Sequence, residues 1–338
     1  MVAWRRNGCV RFGLAKAVLI RYYRKRFYTM APNKRTNRLS YVESPKFETW
    51  PKLYDRYHDS FSQLGTGQLW VFRGQSNTSW PLATTLERRL ATIQCPTNQW
   101  GYLEEGLVRE FQRRLSTADN SIDHPDPDNV LGWFALMQHH GTPTRLLDWT
   151  YSFFVALFFA VESATSDAAV FAVDARWCNE QARTHLPSPR TNKGKIAKDP
   201  YITKSATFRT IFARDPEVPL VYRVNPYVLN PRLAIQQGLF LCLGALTKTF
   251  EENLAALATP DNGVPIHKWI IPKAIHPQVL SELSYMNIGR HSLFPGIDGF
   301  AQSLTQFLEH GERLCPPWRK KQGTKPFVEW LKWQGWEQ

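Results

Sequence analysis

Polar and apolar positions alternate or cluster along this chain with periods that mark out a series of elements. Gln68 to Phe72 reads as a strand, stopped by the permissive Gly74. Leu103, Leu107, Phe111 and Leu115 recur every fourth residue, with Glu104, Glu105, Arg113 and Arg114 between them, the stripe of an amphipathic helix. The cluster Asp123–Asn129 interrupts the pattern, and Asn129 is placed to cap a helix over Val130–Gln138. Apolar residues cover most of that helix's circumference, which implies burial. Gly141-Thr142-Pro143 forms a loop leading into Thr144–Thr150, and Ser152 is placed to cap a second buried helix, Phe153–Ala164. Ala168–Val173, Leu220–Val224, Leu239–Leu243 and Lys268–Ile271 read as strands, and Pro295-Gly296 precedes a helix over Phe300–Leu308. The polar stretch Arg183–Asp215 is expected to be an excursion or loop, and the Trp-rich end (Trp318, Trp330, Trp333, Trp336) to pack on the domain. Strands interleave irregularly with helices, so the expected fold class is α+β, a mixed or antiparallel sheet with packed helices.

Composition adds bounds to this picture. The 338 residues are 43% hydrophobic and include 13 Trp and 20 Phe, enough to bury a sizeable core. The longest apolar run, Phe153–Val161, falls far short of the roughly 20 residues of a membrane span. The five cysteines show neither close pairs nor CxxC spacing, which disfavours a disulfide framework or a zinc site and fits a reducing, cytoplasmic setting. No metal is expected. The formal charge of +13 is concentrated: of the 42 Lys and Arg, eleven precede Glu43, and none of the 29 acidic residues does. The body of the chain is close to neutral. Its basic tail, residues 1–42, has three readings: a nucleic-acid or acidic-membrane arm, a targeting peptide, or the consequence of a start at Met1 in place of Met30. The expected organisation is that tail, a domain over 43–312, and the Trp-rich segment 313–338.

Candidate chemistry lies in two places. Arg73 ends an apolar strand just before a glycine, where its planar fork can hold a phosphate or carboxylate at two points. The segment Met137–Thr150 gathers His139, His140, Arg145, Asp148 and three threonines between two buried helices. Such groups either satisfy one another or line a cleft. A structural network, with Asp148 paired to Arg145 or accepting from a backbone N–H, stands against a site made of the same residues. The adjacent histidines diverge by about 100° on a helix and make a poor metal pair.

Phe72-Arg73-Gly74, the block His140–Thr150 running into Ala156–Ala160, Arg232 through Gln236, Gly238 and Phe240, and Leu293–Gly299 together resemble the FRG domain family. The resemblance spans about Gln68–Leu308 and implies bacterial or phage settings of conflict or defence. A second resemblance, to arginine-serine-glutamate ADP-ribosyltransferases, rests on Arg73, on Asp148-Trp149-Thr150 before an Ala- and Phe-rich helix, and on Gln236 or Gln237 near the late glutamate. It implies a split sheet that binds NAD as substrate, with a protein or nucleic acid as acceptor. In that reading Asp148, His140 and Gln236 are the catalytic candidates. Arg73, Gly74, Thr144, Arg145, Thr150 and Arg232 are the ligand-binding ones. Asp148-Trp149 replaces Ser-Thr, and a glutamine cannot supply a carboxylate's charge.

Three functions are therefore weighed. One is an NAD-dependent transferase or NAD hydrolase, and the second is a non-catalytic module that senses a phosphorylated, nucleotide-like small molecule. The third, a nucleic-acid binder, is disfavoured by the near-neutral body.

Overall fold

The computed structural model describes residues 39–309 apart from 40, 45, 62–67, 119–123, 128, 185–216, 227–230 and 258–264. The basic tail before residue 39, most of the excursion expected at Arg183–Asp215 and the Trp-rich end lie outside the described residues. In chain order the elements are β1 (Val42–Glu43), α1 (Trp50–Phe61), β2 (Trp70–Gln75), α2 (Thr85–Thr92), α3 (Trp100–Ala118), α4 (Val130–His139), β3 (Leu146–Thr150), α5 (Phe153–Val161), β4 (Ala168–Asp174), α6 (Ala175–Thr184), β5 (Val221–Val224), α7 (Pro231–Ile235), β6 (Gly238–Leu243), α8 (Phe250–Ala255), β7 (Ile266–Ile271), α9 (His276–Tyr285), α10 (Arg290–Leu293) and α11 (Ile297–Glu309).

The strands form one sheet in the order β1-β7-β4-β2-β3-β6-β5. Only the β1–β7 pair is parallel. The class is α+β, as expected from the irregular interleaving. β4 is buried along its whole length, which is why it reads as a continuous apolar run rather than an alternating one. Its side chains divide between two cores: Ala169, Phe171 and Val173 join Trp177 and Cys178 of α6, whereas Ala168, Val170 and Ala172 join α5 and α9. The two faces of one strand thus feed two layers of helix, as the period of two requires.

Both capping expectations hold. Asn129 Oδ1 accepts from Gly132 N at 3.0 Å, and Ser152 Oγ accepts from Val155 N at 3.3 Å. The buried helices they start, α4 and α5, flank β3 in sequence.

The expectation that Gly74 stops the strand is corrected. β2 continues through it to Gln75, pairing with β4 over all six residues. What Gly74 permits is contact: a Cβ there would lie 2.0 Å from the Ala156 carbonyl oxygen and 2.6 Å from Ala160 N. α5 rests directly on the strand backbone. Gly74→Ala must push the helix off the sheet, and we expect a loss of about 1–3 kcal/mol, typical of overpacking. Denaturant titration of variant and wild type measures it, and equal midpoints would contradict the packing described.

Candidate functional site

The sheet has one weak seam. β3 pairs with β6 over five residues, yet β2 and β3 share the single pair Phe72–Thr150. Beyond that pair the ladder is replaced by a side chain, because Arg73 Nη1 donates to the Asp148 carbonyl oxygen at 2.7 Å. A cavity of about 480 Å³ opens at this seam. That size lies within the range usual for small-molecule sites.

Arg73, Gly74, Asp148, Thr150, Arg232 and Gln236 all line the cavity. Among the described residues the buried Arg73 Nε has no hydrogen-bond partner, and neither does Nε1 of Trp149, another lining residue. Burial lowers the Arg73 pKa, and the nearby Asp148 carboxylate works in the opposite direction. Arg232 is exposed, with its guanidinium 4.6 Å from the centre of the Phe294 ring, a cation–π stack that holds it at the cavity. Among the described residues Asp148 is the single carboxylate in the lining.

Two of these residues are more committed than their chemistry suggests. The Thr150 hydroxyl donates to the Gln236 carbonyl at 2.7 Å and accepts from Ser152 N at 3.0 Å, tying the end of β3 to the start of β6. Gln236 Nε2 donates to the Leu293 carbonyl at 3.0 Å, fastening the last residue of α10 to the cavity wall.

Three candidates fall elsewhere. Arg145 does not pair with Asp148. It is buried against Glu104 of α3, with Nε 2.9 and 3.0 Å from the two carboxylate oxygens and Nη2 also bound to one of them. Burial opposes the charge of Arg145, but the Glu104 carboxylate outweighs it, so the guanidinium holds its proton more tightly than usual. Thr144 is fully buried, its hydroxyl accepting from Leu146 N at 3.1 Å and donating to Gln138 Oε1 at 2.6 Å. His140 caps α4 and is exposed, outside the lining.

His139 lines the cavity instead. Gly141, at φ +79°, ends α4 in the left-handed region, with Gly141 N bonded to the Gln138 carbonyl and Thr142 N to the Met137 carbonyl. This Schellman-type ending closes the helix just after His139, which is exposed at the rim of the cavity. Burial, then His140 and Arg232, push the His139 imidazole below its usual pKa and favour its neutral form. Phe159 was also missed, although its spacing of three from Ala156 puts both on one side of α5, and both line the cavity. Thr85 and Gln138 complete the polar wall, and nothing in their local sequence marks them.

Among the described residues no group of three His, Cys, Asp or Glu is placed to hold a metal ion, and no helix is long and apolar enough to cross a membrane. No curated protein and no solved structure matches the chain. One family model does, over residues 68–169. The matched stretch carries β2, α4, β3 and α5, and with them Arg73, Asp148 and the seam between their strands, so the chain contains an FRG domain.

Proposed function

We propose that the seam cavity binds an anionic, nucleotide-like molecule of the NAD type and that Asp148 acts on its N-glycosidic bond. The observation that carries this reading is Arg73: a guanidinium set in the gap of a sheet, with one donor bound to the opposite strand and a buried Nε lacking any acceptor among the described residues. Unsatisfied buried donors are costly, and a phosphate oxygen is a strong acceptor for them. Arg232 supplies a second cation at the same cavity, suited to a diphosphate, while Phe159, Phe240 and Leu233 offer apolar surface for a ring.

In the step envisaged, the bond between C1′ of the ribose and the nicotinamide nitrogen breaks, and its electron pair leaves with the neutral nicotinamide. The Asp148 carboxylate faces the positive charge that develops on the ribose. Water then attacks C1′ and its proton passes to the His139 imidazole and on to solvent, giving ADP-ribose. A protein or nucleic-acid nucleophile in place of water would make the reaction a transfer. The bacterial conflict setting implied by the family resemblance suits an activity that consumes NAD.

A second reading is a sensor without turnover. It is favoured by Gln236, a neutral amide already engaged with Leu293, which leaves the site one carboxylate where a transferase-like pair would be expected.

The test uses the full chain with NAD, measuring thermal shift and nicotinamide release beside Arg73→Ala and Arg73→Lys. The reading expects ADP-ribose affinity to fall by about tenfold to a hundredfold in Arg73→Ala, the worth of a charge-assisted hydrogen bond. Arg73→Lys should rescue little, since an ammonium keeps the charge and loses the fork. Binding without nicotinamide would select the sensor. Absence of both binding and turnover in the wild type would reject the cavity as an NAD-type site.

A further inference from the structure

Gln138 connects the buried interior to the Asp148 carboxylate, and its orientation is dictated from behind. The Thr144 hydroxyl accepts the N–H of Leu146 at 3.1 Å, so its own proton is directed to Gln138 Oε1 at 2.6 Å. Thr85 lies beside it: its hydroxyl accepts the N–H of Thr144 at 3.1 Å and has two acceptors at 3.4 Å, the same Oε1 and the Thr144 carbonyl oxygen. The short Thr144 donor bond identifies that side of the amide as oxygen. The NH₂ group therefore faces the other way, and Nε2 donates to Asp148 Oδ2 at 2.8 Å. The backbone N–H of Leu146 thus sets, through the Thr144 hydroxyl and one amide, the rotation of a carboxylate at the mouth of the cavity. Asp148 Oδ1 has no protein partner among the described residues and is left for a ligand.

We propose that Gln138 is a positioning residue for Asp148, holding one carboxylate oxygen so that the other meets the ligand in a fixed direction. The inference rests on the reading of Asp148 as the reacting carboxylate. It explains a feature that reading does not need, an amide polarised by the buried Thr144 hydroxyl and aimed at the one acid that lines the site among the described residues. The charged and titratable groups that share the cavity with Asp148 are Arg73 from β2, His139 from α4 and Arg232 from α7. None of them is hydrogen-bonded to its carboxylate oxygens.

The experiment compares the full-length wild type with Gln138→Leu and Gln138→Glu, using NAD as substrate and released nicotinamide as readout, with melting temperatures measured in parallel. Gln138→Leu removes the donor and should lower kcat by about a hundredfold with KM changed only a few-fold, the effect of misplacing a reacting group. Gln138→Glu supplies the distinguishing signature. An ionised glutamate can accept from Thr144 but cannot donate to Asp148, whereas its protonated form can do both. Activity of that variant should climb as pH is lowered from about 8 to about 5, where adjacent carboxyls share a proton, while the wild type shows no such climb. An active wild type with Gln138→Leu at the same kcat, or with Gln138→Glu following the wild-type pH profile, overturns the inference alone. A wild type that neither binds nor cleaves NAD overturns the functional reading, and the inference with it.

Discussion

Asp148→Asn is expected to reduce nicotinamide release by about a hundredfold to a thousandfold while leaving ADP-ribose affinity equal or improved. The substitution is nearly isosteric, and an asparagine oxygen can still accept from Gln138 Nε2, which reaches Oδ2 at 2.8 Å in the native protein. The change therefore removes charge and little else. Loss of a single well-placed electrostatic group at a developing charge has that order of effect on kcat. Affinity moves the other way because the carboxylate repels a phosphorylated ligand held by Arg73 and Arg232, which line the same cavity. Steady-state nicotinamide release and calorimetric titration with ADP-ribose separate the two quantities. A variant with wild-type kcat would show that the acid of the site is not the reacting group, and weaker ADP-ribose binding would make Asp148 a ligand contact instead.

The largest effect on stability is expected at a residue that never reaches the cavity. Arg145 and Glu104 keep only 7% and 6% of their side-chain surface exposed. Arg145 also lies 5.9 Å from the centre of the Phe134 ring and 3.4 Å from the Gly244 carbonyl through Nη1. Arg145→Ala leaves the Glu104 carboxylate buried without its counter-charge, which costs about 3–5 kcal/mol. For a domain of this size that lowers the melting temperature by roughly 10 °C. Replacing both partners, Arg145→Met with Glu104→Leu, should recover most of the loss, because an apolar pair of similar volume carries no desolvation penalty. Denaturant titrations of the two single variants and the double form the cycle. A loss below about 1 kcal/mol in Arg145→Ala would mean that water reaches the pair.

The contrast between Asp148 and Arg145, three residues apart, shows where sequence stops being informative. Local features were legible: the caps Asn129 and Ser152, the buried helices they begin, and an arginine carried by an apolar strand all depend on residues within a few positions of each other. The partner of Arg145 lies 41 positions away on α3, and no local pattern distinguishes a guanidinium aimed inward from one aimed at a ligand. Gly74 was misread for a related reason. A glycine marks either a turn or a close approach, and the helix that approaches it comes from residues 153–161. The exchange of His140 for His139 is a matter of one helical step, about 100°, which adjacent histidines in a sequence do not reveal. Gln138 stood in plain view beside the histidines, but its worth depends on the buried Thr144 hydroxyl that polarises it.

The sheet order also bears on how this protein can be divided. Residues 68–169 hold β2, β3 and the beginning of β4, yet β3 has its long ladder with β6, from residues 238–243, and β4 lies against β7, from residues 266–271. A fragment cut at the boundaries of the family match would carry β3 without β6 and β2 without most of β4, their backbone donors and acceptors bare. Apolar strands with open edges pair with whatever strand they meet, usually another copy of themselves. The later strands act, in this sense, as the domain's own protection against aggregation. The recognisable stretch and the foldable unit are different lengths of chain.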